Sequence, residues 1–164
     1  MMSEAKERSV SPLPYFGYGT LLGETQMRRN YPSARKIGLG FYDQHELAFW
    51  RYADAADGGC SIAHRPDSIL FGVLYELSQA DMTMLLEVGG LAKWYEAREI
   101  DVTRVTGGRV RAITLRVEGY RGDWVPHADY AALVTNGARE AGLPAEYQAK
   151  LDAIVENARR GADR

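Results

Sequence analysis

Residues 15–22 read YFGYGTLL, an aromatic strand-like run that breaks on Gly17, Gly19 and Thr20. Such a break either turns the chain or leaves several backbone N–H groups bare. Successive bare N–H groups form a nest that suits a carboxylate or the oxyanion of an acyl intermediate. Gly19 has no Cβ, so a ligand can come close to the main chain there. Other reactive residue types are sparse. Cys60 is the one cysteine, which excludes an internal disulfide, and it follows Gly58 and Gly59 as a small buried hydrophobe would. The three histidines, His45, His64 and His127, show no metal-ligand spacing, so neither metal nor cofactor is expected. His64, before Arg65-Pro66-Asp67, reads as a surface residue, and His127, beside Pro126, as a capping or surface residue. Glu87 alone reads as a solvated helix-face charge. Trp50, Trp94 and Trp124 read as packing. The basic group of Arg28, Arg29, Arg35 and Lys36 reads as a solvated face, although an arginine there can pair bidentately with a carboxylate.

The elements that must hold the 18–21 loop follow from pattern. At 164 residues the chain is long enough for one domain with a sizeable core. A net charge of −2 argues against a nucleic-acid binder. No apolar run approaches the roughly 18 residues of a membrane span. The polar N-terminus lacks the pattern of a secretory signal, so a cytoplasmic location is expected. Residues 1–12 are expected as a flexible tail, and residues 13–160 as a single domain. Strands are predicted at 14–18, at 37–42 and 45–51 around a turn at Asp43-Gln44, and at 59–64 and 69–76 around the turn signal RPDS. The segment LFGVLYEL is apolar enough for a strand buried on both faces. A helix begins at Ser78, its N-cap, and stops at Gly89-Gly90. Strands return at 94–105 and 109–118, and helices at 128–141 and from Pro144 to about Arg159. The order predicts an α+β fold, mainly antiparallel. Roughly five to seven short strands would close into a small β-barrel, with one embedded helix and two C-terminal helices.

Four stretches together resemble the gamma-glutamylcyclotransferase-like family. YFGYGTLL is similar to its Tyr-Gly-Ser-Asn/Leu-Leu fingerprint, and GGCSIAH occupies the place of its Gly-Gly strand start. LFGVLYELSQADM matches its central strand and helix start, and PHADYAALVTNGAREAGLPAEYQAKLDAI its C-terminal segment. The resemblance spans roughly residues 14–155. It implies release of 5-oxoproline and a free amine from a gamma-glutamyl amide, the donor's own alpha-amine attacking its gamma carbonyl. By resemblance, Tyr18, Gly19, Thr20 and Leu21 line the donor site, with Tyr95 and Tyr130 near it; Trp94, read as packing, lies beside Tyr95 where it could also narrow that site. A small-molecule substrate is implied, a gamma-glutamyl compound or other small carboxylate, and pairing as a homodimer is a further implication.

The chain departs from the family at the catalytic base. The family carries a glutamate in Leu-Asp-x-x-Glu-Gly at the end of the embedded helix, and here Gly89 takes that place. The nearest carboxylate is Glu87, two positions earlier, which on a regular helix points about 200° away around the axis. Three readings stay open. Glu87, Glu96 or Glu24 replaces the base. Alternatively the site performs other carbonyl chemistry, hydrolase or lyase, with His64, His45 or Cys60 taking part. In the third, the protein is a non-catalytic small-molecule-binding module.

Overall fold

This computed structural model describes residues 9–53, 56–88 and 93–161. The elements are β1 (Tyr15–Gly17), α1 (Glu24–Asn30), β2 (Arg35–Arg51), β3 (Gly58–Glu76), α2 (Gln79–Thr83), β4 (Tyr95–Arg104), β5 (Arg109–Val117), α3 (Ala128–Ala141) and α4 (Ala145–Arg160). The strands close into a barrel in the order β1-β3-β2-β4-β5. This is the predicted α+β barrel. β1 runs antiparallel to β3 and parallel to β5, and the remaining pairs are antiparallel. Val73, Leu74 and Tyr75 of β3 are all buried, so this central strand is covered on both faces.

Two expectations are corrected. Asp43-Gln44 and RPDS do not reverse the chain. β2 and β3 form one long hairpin, paired from Arg35↔Glu76 to Arg51↔Gly58. The two turn signals lie opposite each other, where the register shifts between Asp43 and His45 and Gln44 takes a φ of 61°. They absorb a bulge that bends the ribbon, because the apolar pattern on either side belongs to the same sheet. The embedded helix is also irregular. α2 passes at Met84 into a single π-helical turn, Met84–Val88, so the regular-helix angle for Glu87 does not hold.

The sequence reading has no helix at 24–30, and the reason is tertiary. Gly23 offers α1 no side-chain cap, and Met27 is its one buried residue. The cap comes from α3: Glu140 accepts the Thr25 N–H at 2.8 Å and the Thr25 hydroxyl at 2.6 Å. The hydroxyl bond, then the N–H bond, holds the Glu140 carboxyl below its ordinary range. A carboxylate with a lowered folded-state pKa stabilises above its unfolded value, and that contribution is lost as pH falls through the folded one. Glu140→Ala is therefore expected to cost about 0.5–1 kcal/mol near neutrality. In thermal melts the gap to wild type should close as the pH drops below the ordinary value of 4.5.

β1 meets β5 through a single bridge, Tyr15↔Ile113. Side chains complete that seam. Thr114 Oγ1 donates to the Phe16 carbonyl at 2.7 Å, and Tyr18 Oη to the Leu115 carbonyl at 2.6 Å. Residues 9–11, within the expected tail, are tied to the start of α2: Ser11 N–H donates to Leu77 C=O and Gln79 N–H to Ser9 C=O.

Candidate functional site

The loop after β1 opens into a cavity of about 400 Å³. Gly19, Thr20 and Leu21 form one wall with Cys60 behind them, and α1 adds Gln26 and Asn30. The loop closes on itself through one bond, Leu22 N–H to Gly19 C=O at 3.2 Å. Among the described residues, no protein acceptor takes the N–H of Gly19 or of Leu21. The Thr20 N–H lies near the Cys60 thiol and partly offsets the upward push that burial gives its pKa.

Aromatic rings make the other walls. Tyr52 stacks on Trp94 with centroids 4.6 Å apart and planes 3° from parallel, and Tyr95 meets Tyr52 edge-on at 5.7 Å. Across the cavity Trp124 meets Tyr130 edge-on at 4.9 Å and His127 at 5.7 Å. Stacked and edge-on pairs of this kind lock ring positions, which gives the cavity fixed sides.

Tyr18, Tyr95 and Tyr130, expected around the donor, do come together, and their hydroxyls also hold the scaffold. Tyr95 Oη donates to the Cys60 carbonyl at 3.0 Å, while Tyr130 Oη accepts the Cys60 N–H at 2.8 Å. Tyr18, already bonded to Leu115, lies 3.4 Å from the same Cys60 carbonyl. Burial pushes all three phenols well above their usual range, so they stay protonated. After accepting from the Cys60 N–H, Tyr130 keeps its own O–H, which lies against the Cys60 thiol. Burial pushes that thiol up to about 12, too high for a thiolate nucleophile at neutral pH.

The other candidates fall outside the cavity. Glu87 is exposed on the π-helical turn, which contributes Leu85 to the lining instead. Gly89 lies outside the described residues. Glu96 pairs with Arg116 at 2.7 Å and Arg98 at 3.0 Å on the outer face of β4 and β5, and the Arg116 hydrogen bond chiefly keeps its carboxyl low. Glu24 begins α1 and does not line the cavity. His45 and His64 meet edge-on at the β2–β3 bulge, away from it, with His45 stacked on Tyr42. Arg28, Arg29, Arg35 and Lys36 are likewise absent from its lining.

Sequence reasoning missed Tyr52 and Asp57, and it read Trp124 and His127 as packing and surface residues. Asp57 directly precedes the Gly58-Gly59 pair already marked by the motif, a position that could have been followed up. Asp57 is the one carboxylate and His127 the one imidazole among the described lining residues, and no lysine or arginine joins them. The site thus offers neutral donors, one negative charge and aromatic faces to a small polar molecule.

Fold and site define a small closed-barrel protein with an aromatic cavity of small-molecule size. The sequence profile of the AIG2-like family matches residues 69–151, half of the chain, and the chain belongs to that family. It is similar to the gamma-glutamylcyclotransferase of Mus musculus, 28% identical over 153 residues that cover 90% of this chain and 81% of that protein. The gamma-glutamylcyclotransferase of Bos taurus is 26% identical over the same shares. A solved gamma-glutamyl cyclotransferase structure superposes with a TM-score of 0.80 at 26% identity, covering 87% of each chain. The resemblance drawn from the four motifs is borne out.

Proposed function

We propose that this chain is a gamma-glutamyl cyclotransferase, releasing 5-oxoproline and a free amine from a gamma-glutamyl amide held in the cavity. The observation that carries the reading is the juxtaposition of bare Gly19 and Leu21 N–H groups with fixed aromatic walls. The likeness to proteins named gamma-glutamylcyclotransferase supports it further. Cyclisation needs the glutamyl chain folded so that amine and carbonyl meet, and rigid walls impose that fold. The carbonyl oxygen becomes negative as the ring closes, and N–H groups already aimed at it need no rearrangement.

The test is 5-oxoproline release from gamma-glutamyl amino acids, gamma-glutamylamines and glutathione. Turnover of at least one donor is expected. Glu87→Gln should stay within about twofold of wild type, since that carboxylate faces solvent. Absence of product from every donor class would overturn the reading.

A further inference from the structure

The cavity contains a carboxylate that neither motif nor family pattern pointed to. Resting on the cyclotransferase reading above, we propose that Asp57 is the catalytic residue that binds the donor's alpha-ammonium and takes its proton. Asp57 sits where the β2–β3 connection re-enters the barrel, one residue before Gly58, and both line the cavity. Two bonds fix it. Its backbone carbonyl accepts the Tyr52 N–H at 3.0 Å, and its Oδ1 accepts the Gly58 N–H at 2.9 Å. Among the described residues nothing bonds Oδ2.

Charge makes the assignment specific. An amino-acid head brings one ammonium and one carboxylate. The ammonium has a single anionic partner among the described lining residues, Asp57, whereas the carboxylate can use neutral N–H and O–H donors. Glu96 is taken up by two arginines, and Glu87 faces solvent. Asp57 is thus the charge-complementary partner for the nitrogen that must become nucleophilic.

The step balances without water or cofactor. Asp57 takes one ammonium proton; the freed nitrogen pair forms the bond to the gamma carbon, and the carbonyl pair moves onto oxygen, facing the 18–21 loop. When the oxyanion collapses, the bond to the leaving nitrogen breaks and Asp57 gives that nitrogen its proton. A second proton leaves the new ring nitrogen for Asp57 and ends on the departed amine, while the third stays on the lactam.

The experiment compares wild type with Asp57→Asn, whose side-chain oxygen can still accept the Gly58 N–H. Asp57→Ser, which can make the same local bond, serves if the first variant does not fold. Two readouts are needed: 5-oxoproline release, and affinity for L-glutamate against glutarate, the same diacid without the amine. Wild type should favour L-glutamate at least tenfold. In the variant that preference should fall within about twofold, and turnover should drop about 100-fold or more. A variant that turns over within threefold of wild type, or keeps the full L-glutamate preference, overturns the assignment. If wild type itself releases no 5-oxoproline, the cyclotransferase reading and Asp57's role as proton acceptor both fail. The two-ligand comparison then upholds or rejects its ammonium contact alone.

Discussion

Gly59→Ala is expected to cut turnover about 100-fold while leaving a folded protein of lowered stability. A methyl group at Gly59 would run into the Tyr95 hydroxyl, lie 2.5 Å from that of Tyr52 and 3.1 Å from that of Tyr130. Those three oxygens come from β4, the end of β2 and α3, so no single movement relieves all the contacts. Inserting one methyl into a filled space typically costs about 1–3 kcal/mol, which a domain of this size can survive. The effect on chemistry should be larger than the effect on stability. Tyr95 and Tyr130 fix the two peptide groups of Cys60, and Cys60 backs the 18–21 loop. A displacement of about 1 Å in such a frame can cost 100-fold in rate. Thermal melts and 5-oxoproline release on the same preparation separate the two effects, and wild-type turnover would mean that the tyrosine positions are immaterial.

The second large effect is expected at Gly19, where the loop lies directly on Cys60. A Cβ at Gly19 would stand 2.8 Å from both Cβ and Sγ of Cys60. Gly19→Ala should therefore lift the loop, cost about 1–3 kcal/mol and displace the N–H groups proposed to meet the substrate oxygen. Both clashing atoms belong to one side chain, so the damage should be repairable. Cys60→Gly removes them, and the double variant should be more stable and more active than the sum of the single changes allows. Denaturant melts of the four proteins give the coupling directly. Additive losses would show that the loop does not depend on this contact.

How much of this was legible depended on whether the cause was local. α3 was read at its observed bounds and α4 to within a residue or so, because an apolar stripe, a proline and a glycine all agree there. The buried strand in β3 announced itself by an unbroken apolar run. α1 did not, since Thr25 is held by a carboxylate 115 positions away. Asp43-Gln44 and RPDS carry sound turn chemistry, but each faces the other across a ladder that leaves room only for a bulge. The tyrosines followed from motif likeness. Asp57 did not, because an aspartate before two glycines is what an ordinary turn contains. Only the barrel's curvature brings it to the same hollow as the 18–21 loop.

The thin seam at β1 bears on how the molecule reaches its working shape. The β2–β3 ribbon and the β4–β5 pair join segments close in sequence, whereas β2 with β4 and β1 with β3 and β5 pair across long stretches of chain, the Tyr15–Ile113 bridge across the longest. Such distant pairings carry the largest chain-entropy cost and tend to form late. The 18–21 loop, proposed above to meet the acyl oxygen, hangs from the end of one of these distantly paired strands. A chain still folding therefore presents its aromatic hollow unfinished, and competence for chemistry arrives only when the cylinder shuts.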